Sequence, residues 1–262
     1  MPVYNEHETL GESIDRVLAL DLPDIAIHLL IVESNSSDGS REIALGYADH
    51  PDVTLILEDE PVGKGHAVRA GLRRANGDII LIQDADLEYS VEDYPALIAP
   101  IVSGIADFTL GSRHTPGQAM RVMPENRKIG WIVNSAHWAF TALFDIVYRV
   151  ELRDPFTMYK VFRRQSVADV EFVSNRFDFD WELVAKLIRL GYKPLEVSVS
   201  YRARSFAGGK KVRFFRDPPT WLVACIRFRF SRIKRRTPEP QLESKPALSD
   251  LSAESLVLHP ES

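Results

Sequence analysis

The chain reads as an α/β protein built on a mostly parallel sheet with helices on both faces, and three observations predict this. Residues 26–33 (AIHLLIVE), 53–57 (VTLIL) and 78–83 (DIILIQ) are short, nearly unbroken apolar runs, the pattern of strands buried on both faces. Segments with helical spacing stand between them, so strand and helix alternate. The runs at 26–33 and 78–83 pass directly into polar or acidic loops, and ligands of open α/β sheets bind at the carboxyl ends of strands.

The opening, MPVYNE, has the composition of a strand's end running into a helix, with Pro2 closing the strand and a helix expected over 6–20. No strand-length apolar run stands before it, so the first strand is expected to be cut short. A helix over 40–49 opens on Ser40 as a cap, with Glu42 two residues on. Residues 65–75 carry apolar side chains at 67, 68, 70, 72 and 75, and 92–102 follows Ser90, another candidate cap. Residues 114–127 are loop-like. Residues 128–150 read as one long helix rich in Trp, Phe, Ile and Val. Its Asn134, His137 and Asp145 make it a poor membrane span, so it is predicted to pack on the core. Two further strands are expected at 156–162 and 195–201, with a helix over 180–190 between them. Residues 221–236 (WLVACIRFRFSRIKRR) are apolar and basic together, and 237–262 are rich in Pro, Ser and Glu, the composition of a disordered acidic tail.

Bulk composition narrows the class. With 262 residues, 45% apolar and 26% charged, the chain has the make-up of a soluble globular protein. A single cysteine, Cys225, excludes an internal disulfide framework and a multi-cysteine metal site, and none of the seven histidines forms a His-x3-His pair. No secretory leader is visible. The net charge of −5 is unevenly spread: residues 202–236 hold twelve Lys and Arg against Asp217 alone, while 1–201 are acidic. Such a basic band is either a solvated helix or a surface for an anionic partner, membrane phosphates or a phosphate-bearing substrate. No nucleic-acid partner is expected.

The chemistry concentrates in three segments. In 79–89 (IILIQDADLEY) an apolar strand ends in Asp84, Asp86 and Glu88, which can converge on one point if the chain stays extended. Three carboxylates repel one another unless a cation joins them, and oxygen ligands of this kind suit Mg2+ or Mn2+. The alternative is an acidic loop capping the next helix. In 33–40 (ESNSSDGS) the residues suit a strand-to-helix turn, or a polar rim that reads a base or ribose. In 61–71 (PVGKGHAVRAG) two glycines flank Lys64 at a helix start, a setting that favours an anion, although the Walker spacing is absent.

Taken in order, PVYNE, ESNSSDGS, GKGHAVRAG, QDADLEY, LGSR, DPFTMYKVFRR, FDFDWEL and YRARSFAGGKK resemble the family 2 glycosyltransferases of GT-A fold, particularly the polyprenyl-phosphate (dolichol-phosphate) sugar transferase branch, across residues 2–212. The resemblance implies a GT-A, Rossmann-like domain over 1–212, with a basic helix at 213–236 and an acidic tail at 237–262. It also implies a run of apolar residues ahead of Pro2 as the first, central strand. Pro2, Tyr4 and Glu6 match positions that hold the base of a nucleotide sugar. Glu33 and Ser34 stand where the family usually has Asp-Asp, which leaves uracil and guanine both open. Asp84 and Asp86 match the family's Asp-x-Asp, with Asp86 the metal ligand, Asp84 toward ribose or metal, and Glu88 in support. Arg113 is placed to meet a phosphate. Arg204, Ser205, Lys210 and Lys211 lie in the loop that closes near acceptor and diphosphate in this branch.

The implied activity is metal-dependent, inverting transfer from a UDP- or GDP-sugar to a polyprenyl phosphate, or to a sugar hydroxyl in cell-surface glycan synthesis. A hydroxyl acceptor needs a base. Asp180 in FDFDWEL is the candidate and Glu182 its runner-up, although Asp180 equally suits a helix cap. Asp154 matches an aspartate at the acceptor wall, or serves the Asp-Pro turn. A sugar-1-phosphate nucleotidyltransferase ranks lower, because PVYNE stands where those enzymes carry a Gly-x-Gly-Thr-Arg loop. A truncated, inactive nucleotide-sugar-binding fragment is the non-enzymatic alternative. Residues 221–236 are expected on an anionic membrane surface, at about 1 kcal/mol per basic residue, or packed on the domain. The expected location is cytoplasmic, peripheral on the cytoplasmic membrane face.

Overall fold

The computed structural model describes residues 1–114, 127–203 and 217–235, with 127–133 and 217–221 in backbone alone. Its elements in chain order are β1 (Pro2–Val3), α1 (Leu10–Leu18), β2 (Leu29–Glu33), α2 (Ser40–Leu45), β3 (Val53–Leu57), α3 (Lys64–Arg74) and β4 (Ile79–Ile82). They continue as α4 (Tyr94–Val102), β5 (Phe108–Ser112), α5 (Arg127–Tyr148), β6 (Lys160–Arg163), α6 (Asp178–Arg189), β7 (Pro194–Ser198) and α7 (Asp217–Phe230). Single 3-10 turns at Val91–Asp93 and Arg164–Ser166 complete the set.

The strands form two sheets. One has the order β1-β2-β3, all parallel. The other has the order β4-β6-β5-β7, in which β5 and β7 are parallel and β6 runs antiparallel to both neighbours. The mostly parallel expectation therefore holds, with β6 as the exception. Strand β5 had no place in the sequence reading: its Thr, Gly and Ser break the apolar run, although all five residues are buried.

Alternation along β4 and β6 explains why both faces are covered. Ile80, Ile82 and Phe162 join a core with Phe108, Phe144, Phe179, Trp181 and Phe228, beneath α5, α6 and α7. Ile79, Leu81 and Val161 join a second core with Val3, Leu10, Ile31 and Leu97, beneath α1 and α4. Successive strand residues point to opposite faces, so strands apolar at every position need helices on both. Full burial of a side chain such as Phe162 is worth about 1.5–3 kcal/mol.

Several boundaries differ from the sequence reading for local reasons. α1 begins at Leu10, not at residue 6, because Asn5 adopts φ 51 and residues 6–9 form a turn closed by Thr9 N–H on the Glu6 carbonyl. α2 ends at Leu45, and its cap is Gly39 rather than Ser40. Ser90 makes no side-chain cap, and a 3-10 turn leads into α4 instead. α6 starts at Asp178 with Phe177 as its cap, so Asp180 lies in the first turn and the capping role does not apply to it. The segment 156–159 precedes β6 rather than belonging to it.

β1 is two residues long and pairs Pro2 with Val32 and Val3 with Glu33. At the other end of the domain, α7 buries Ala224, Cys225 and Phe228. It is tied down by Tyr148 Oη–H on the Cys225 carbonyl (2.8 Å) and by Arg189 on the Phe228 carbonyl (2.5 Å). Its other face exposes Leu222, Val223, Ile226 and Phe230. Packing against the domain and an outward apolar face thus coexist in one helix. Among the described residues, no helix is long and apolar enough to cross a membrane. The 237–262 tail lies outside the described residues.

Candidate active site

Two loops at the carboxyl ends of β1 and β2 are laced into one rim. The Asn5, Glu6 and His7 amides donate to Ser36 Oγ (2.9 Å), Ser40 Oγ (2.8 Å) and Asp38 Oδ2 (3.0 Å), and the Ser37 amide donates to Asn5 Oδ1 (2.9 Å). Asp38 also accepts from Ser40, which fixes the turn, and these contacts hold its carboxyl below the usual range despite burial. Tyr4, Asn35 and Ser37 stand exposed on this rim, with Pro2 and Glu6 partly so.

Glu33 and Ser34, expected to read the base, are instead consumed by the loop. Buried Glu33 accepts from the Asn35 and Ser36 amides (3.2 and 2.6 Å) and from Arg41 Nε (2.5 Å). Burial would raise its carboxyl, but the Ser36 bonds and Arg41 hold it below the ordinary range. Ser34 donates its hydroxyl to Glu58 at 2.7 Å. A carboxylate at this strand end is needed to close the turn, which leaves its oxygens committed.

Lys64 is the first residue of α3, and its flanking glycines have a packing reason. Gly63 has φ 137, and a Cβ there would stand 2.5 Å from the Asn175 carbonyl; a Cβ on Gly65 would stand 2.6 Å from Phe179 Cβ. Without side chains, the start of α3 presses against the segment leading into α6. Lys64 then reaches Asp84 at 2.7 Å and Met158 Sδ at 3.1 Å. Burial works against its charge, yet Asp84, Asp180 and Asp86 outweigh it and hold the lysine above its ordinary value. In this structure Lys64 is engaged by the Asp84 carboxylate.

The three acidic residues after β4 diverge. Leu87 adopts φ 56, which breaks the extended path needed for Asp84, Asp86 and Glu88 to share a face. Asp86 accepts from the Glu88 amide at 3.1 Å, and Glu88 accepts from Tyr201 Oη at 2.9 Å. Among the described residues, no three His, Cys, Asp or Glu side chains gather closely enough to hold an ion. The expected three-carboxylate cluster reduces to Asp84 and Asp86. Those two still suit a divalent cation. Mg2+ typically takes one or two carboxylates and completes its shell with water and substrate phosphate, and the Lys64 ammonium already stands against Asp84 as a cation would.

Asp180 meets Lys160 at 2.9 Å, both deeply buried. Lys160 pairs in register with Ile82, so the ammonium lies beneath the Asp84 end of β4. Lys160 opens β6, and its one signal in the sequence is a lysine directly ahead of the apolar Val161 and Phe162. Glu182, the second candidate base, is fully buried and accepts from the Val173 and Ser174 amides (3.0 and 2.8 Å) and from Lys186. In this structure its oxygens close a turn at Val173–Ser174 and meet Lys186.

Arg113 and Asp154 form a buried two-pronged pair, with Nε and Nη2 each 2.7 Å from a carboxylate oxygen. The Arg113 amide adds a third bond at 3.0 Å, and its guanidinium lies 5.4 Å from the Tyr201 ring centre. Burial alone would raise Asp154, but Arg113 brings it down to about 2. In this structure each side chain is the other's partner. Beside them His114 and His137 approach at 3.3 Å between Nε2 atoms, another contact not foreseen. Arg204, Ser205, Lys210 and Lys211 lie outside the described residues.

A mostly parallel α/β architecture with a polar rim and an acidic pair at its strand ends is that of the GT-A class of folds. Within that class the chain belongs to the glycosyl transferase family 2, whose profile matches residues 1–170. Among curated relatives, glycosyltransferase AglJ of Haloferax volcanii is 27% identical over 78% of this chain and 62% of its own length. Dolichol-phosphate mannosyltransferase of Pyrococcus furiosus is 27% identical over 81% of this chain and 59% of its own. The chain thus spans about three fifths of the length of these relatives. Among solved structures, glucosyl-3-phosphoglycerate synthase of Mycobacterium tuberculosis bound to UDP superposes with a TM-score of 0.64 at 18% identity, covering 87% of this chain and 78% of that one. The same synthase with Mn2+, UDP-glucose and phosphoglyceric acid gives 0.62 at 16% identity, over 87% and 77%.

Proposed function

We propose that the chain is an inverting glycosyltransferase that moves a sugar from a UDP- or GDP-sugar to a polyprenyl phosphate or similar lipid-linked acceptor, in the presence of Mg2+ or Mn2+. The observation that carries this reading is the laced rim of residues 4–7 and 35–40 at the carboxyl ends of β1 and β2, together with Asp84 and Asp86 just beyond the carboxyl end of β4. Family membership, a relative named for dolichol phosphate and a neighbour that binds UDP, UDP-glucose and Mn2+ support it.

In this reading Tyr4 and the exposed rim hold the base and ribose. An oxygen of the acceptor attacks the anomeric carbon from the face opposite the diphosphate. The bond to the β-phosphate oxygen breaks, its electron pair leaves with the nucleoside diphosphate, and the centre inverts. Asp84 and Asp86 would hold the divalent ion, which when bound neutralises the charge that develops on the diphosphate. Lys64, which meets Asp84 at 2.7 Å, would add a protein-borne positive charge beside that ion. Arg204, Ser205, Lys210 and Lys211 are assigned to the acceptor phosphate.

Asp180 discriminates between acceptors. A hydroxyl acceptor needs a free carboxylate to take its proton, whereas a phosphate acceptor arrives already ionised. Lys160 Nζ donates to an Asp180 carboxylate oxygen at 2.9 Å, so that oxygen is already engaged, which favours a phosphate acceptor over a hydroxyl. The C-terminal part fits a lipid-linked acceptor. Val223, Ile226 and Phe230 of α7 and Ile146 of α5 are exposed, and Arg227, Arg229 and Arg232 lie on or just beyond α7. Seated on an anionic leaflet, this face would bring residues 1–212 to membrane-borne substrate, peripheral on the cytoplasmic side, in glycan or cell-wall synthesis.

The test is a donor screen, UDP- and GDP-sugars with Mn2+ or Mg2+, against polyprenyl phosphate, a glycan hydroxyl and water. Transfer to polyprenyl phosphate with inversion is expected. Transfer to the hydroxyl alone would overturn the acceptor assignment, and no turnover of any donor would favour an inactive nucleotide-sugar-binding fragment.

A further inference from the structure

Two histidines meet outside the residues assigned to the proposed reaction. His114 follows Arg113 just past the carboxyl end of β5, and His137 lies on α5. Their Nε2 atoms are 3.3 Å apart. The Arg153 carbonyl oxygen is 3.1 Å from the same His137 nitrogen, and Thr141 Oγ1 is 3.4 Å from it. His137 is buried and His114 half-buried, so the pair has a deep side and an open one.

Neither tautomer of His137 serves all of these contacts. A neutral ring nitrogen carries either one N–H or one lone pair. If Nε2 carries the proton, the Arg153 carbonyl takes it at the shorter distance, and His114 keeps only a share of it. If Nε2 carries the lone pair, it accepts from His114, and the carbonyl oxygen then faces another acceptor. The spacing matches a different arrangement. Two imidazole nitrogens on one tetrahedral zinc, each about 2.0–2.1 Å from the metal, stand about 3.3–3.4 Å apart. Both nitrogens then present lone pairs, and the Arg153 carbonyl is placed as an oxygen ligand beside them. Burial holds both rings below their ordinary values, which keeps them in the neutral form that binds metals.

We propose that His114 and His137, with the Arg153 carbonyl, hold one divalent cation of the zinc class, with water on the open side. Among the described residues no three His, Cys, Asp or Glu side chains gather here, so the protein's share is two nitrogens and one backbone oxygen. Asp154 Oδ1 is 3.8 Å from His137 Nε2, but both Asp154 oxygens are engaged by Arg113, so it stays outside the shell and offsets the charge of that arginine. Imidazole ligands suit Zn2+, whereas Mg2+ and Mn2+ suit the oxygens of Asp84 and Asp86. The cation ties the end of β5 and the Arg153–Asp154 segment to α5. No step of sugar transfer runs through it, and it does not depend on the proposed function.

The experiment titrates the untagged chain, first stripped with EDTA, with Co2+ and then with Zn2+, without any donor. Tetrahedral nitrogen ligation gives Co2+ strong visible bands, and octahedral oxygen ligation gives weak ones. One equivalent of strongly absorbing Co2+ is expected, displaced by Zn2+, and it should persist in Asp86→Ala. His114→Phe, which keeps a ring at a half-buried position, and His137→Gln should each weaken binding at least about tenfold. The Trp138 ring centre is 4.7 Å from that of His114, so bound Co2+ should quench its fluorescence, and Trp138→Phe should remove most of the quenching while the bands remain. Zn2+ should raise the melting temperature of the parent and of Asp86→Ala, but not of His114→Phe. Weak bands only, or equal Co2+ affinity in parent and His114→Phe, would overturn the proposal and leave the pair a hydrogen bond between neutral rings. Bands lost in Asp86→Ala, or quenching unchanged in Trp138→Phe, would place the ion elsewhere and overturn it equally. If His137→Gln fails to fold, His114→Phe decides alone.

Discussion

Lys160 donates to Asp180 at 2.9 Å in a place where their side chains are 1% and 6% exposed. Burial pulls the lysine below its ordinary value, and the Asp180 charge is the main force against that pull. The ammonium's charge thus depends on the carboxylate, and Lys160 pairs in register with Ile82 at the end of β4.

Removing one partner strands a buried charge. Lys160→Met is expected to cost about 3 kcal/mol in urea unfolding, and Lys160→Met with Asp180→Asn is expected to recover a good part of it. Asp180→Asn alone separates the acceptors: transfer to polyprenyl phosphate should fall less than about tenfold, because a general base contributes roughly 100-fold or more. A thousandfold loss of kcat with the fold intact would restore Asp180 as the base.

In the proposed metal site, Lys64 and a divalent ion would compete for Asp84. Lys64→Met is expected to raise the melting temperature gained on adding Mn2+ above that of the parent chain, and EDTA should abolish the gain. Asp86→Ala should show no gain at all. Calorimetric titration with Mn2+ in the absence of donor checks both, and unchanged Mn2+ affinity in Asp86→Ala would remove that residue from the ion's shell.

The Arg113–Asp154 pair sets an acid limit. The folded carboxyl titrates near 2, below its unfolded value, so the unfolded chain binds more protons between the two values. The pair's stabilisation is complete above the unfolded value and is lost as pH falls toward about 2. Arg113→Ala, which leaves the carboxylate buried alone, should cost about 3–5 kcal/mol at neutral pH. Denaturant midpoints measured across this range would show it.

His137 gives a second, milder slope. Burial lowers it from 6.5 to about 4, so between those values the unfolded chain takes up a proton that the folded one refuses. Stability should therefore fall as pH drops from about 6.5 toward 4. His137→Gln should flatten that part of the profile and leave the lower, Asp154 part in place.

The outward face of α7 is testable without any substrate. Val223→Ser with Phe230→Ser changes two exposed side chains, so melting should move little. Flotation with anionic phosphatidylserine or phosphatidylglycerol vesicles should drop several-fold. Equal flotation would place the membrane contact elsewhere.

Alternation of apolar runs and helical segments made most of the framework legible, because strands buried on both faces announce themselves as unbroken aliphatic stretches. β5 escaped because Thr109, Gly111 and Ser112 are polar or small yet buried. The site was legible by motif and less so by role. Asp84 and Asp86 lie at a strand end as expected, but one left-handed residue, Leu87, sends Glu88 to Tyr201. Arg113 and Asp154 are 41 positions apart, and their mutual capture depends on β5 and the segment before β6 meeting in space. Lys160 was missed because a buried ammonium is defined by the carboxylate it meets, here 20 residues away.

Cys225, the one cysteine, is 1% exposed in α7, and burial pushes its thiol up to about 11. A thiol of that kind is nearly inert toward maleimides at neutral pH. The natural chain is therefore silent to thiol labelling, and a cysteine introduced at an exposed position such as Ser37 or Val223 would carry a single fluorophore or spin label. Ligand binding at the rim and docking of α7 can then be followed as separate optical signals on an otherwise unaltered protein.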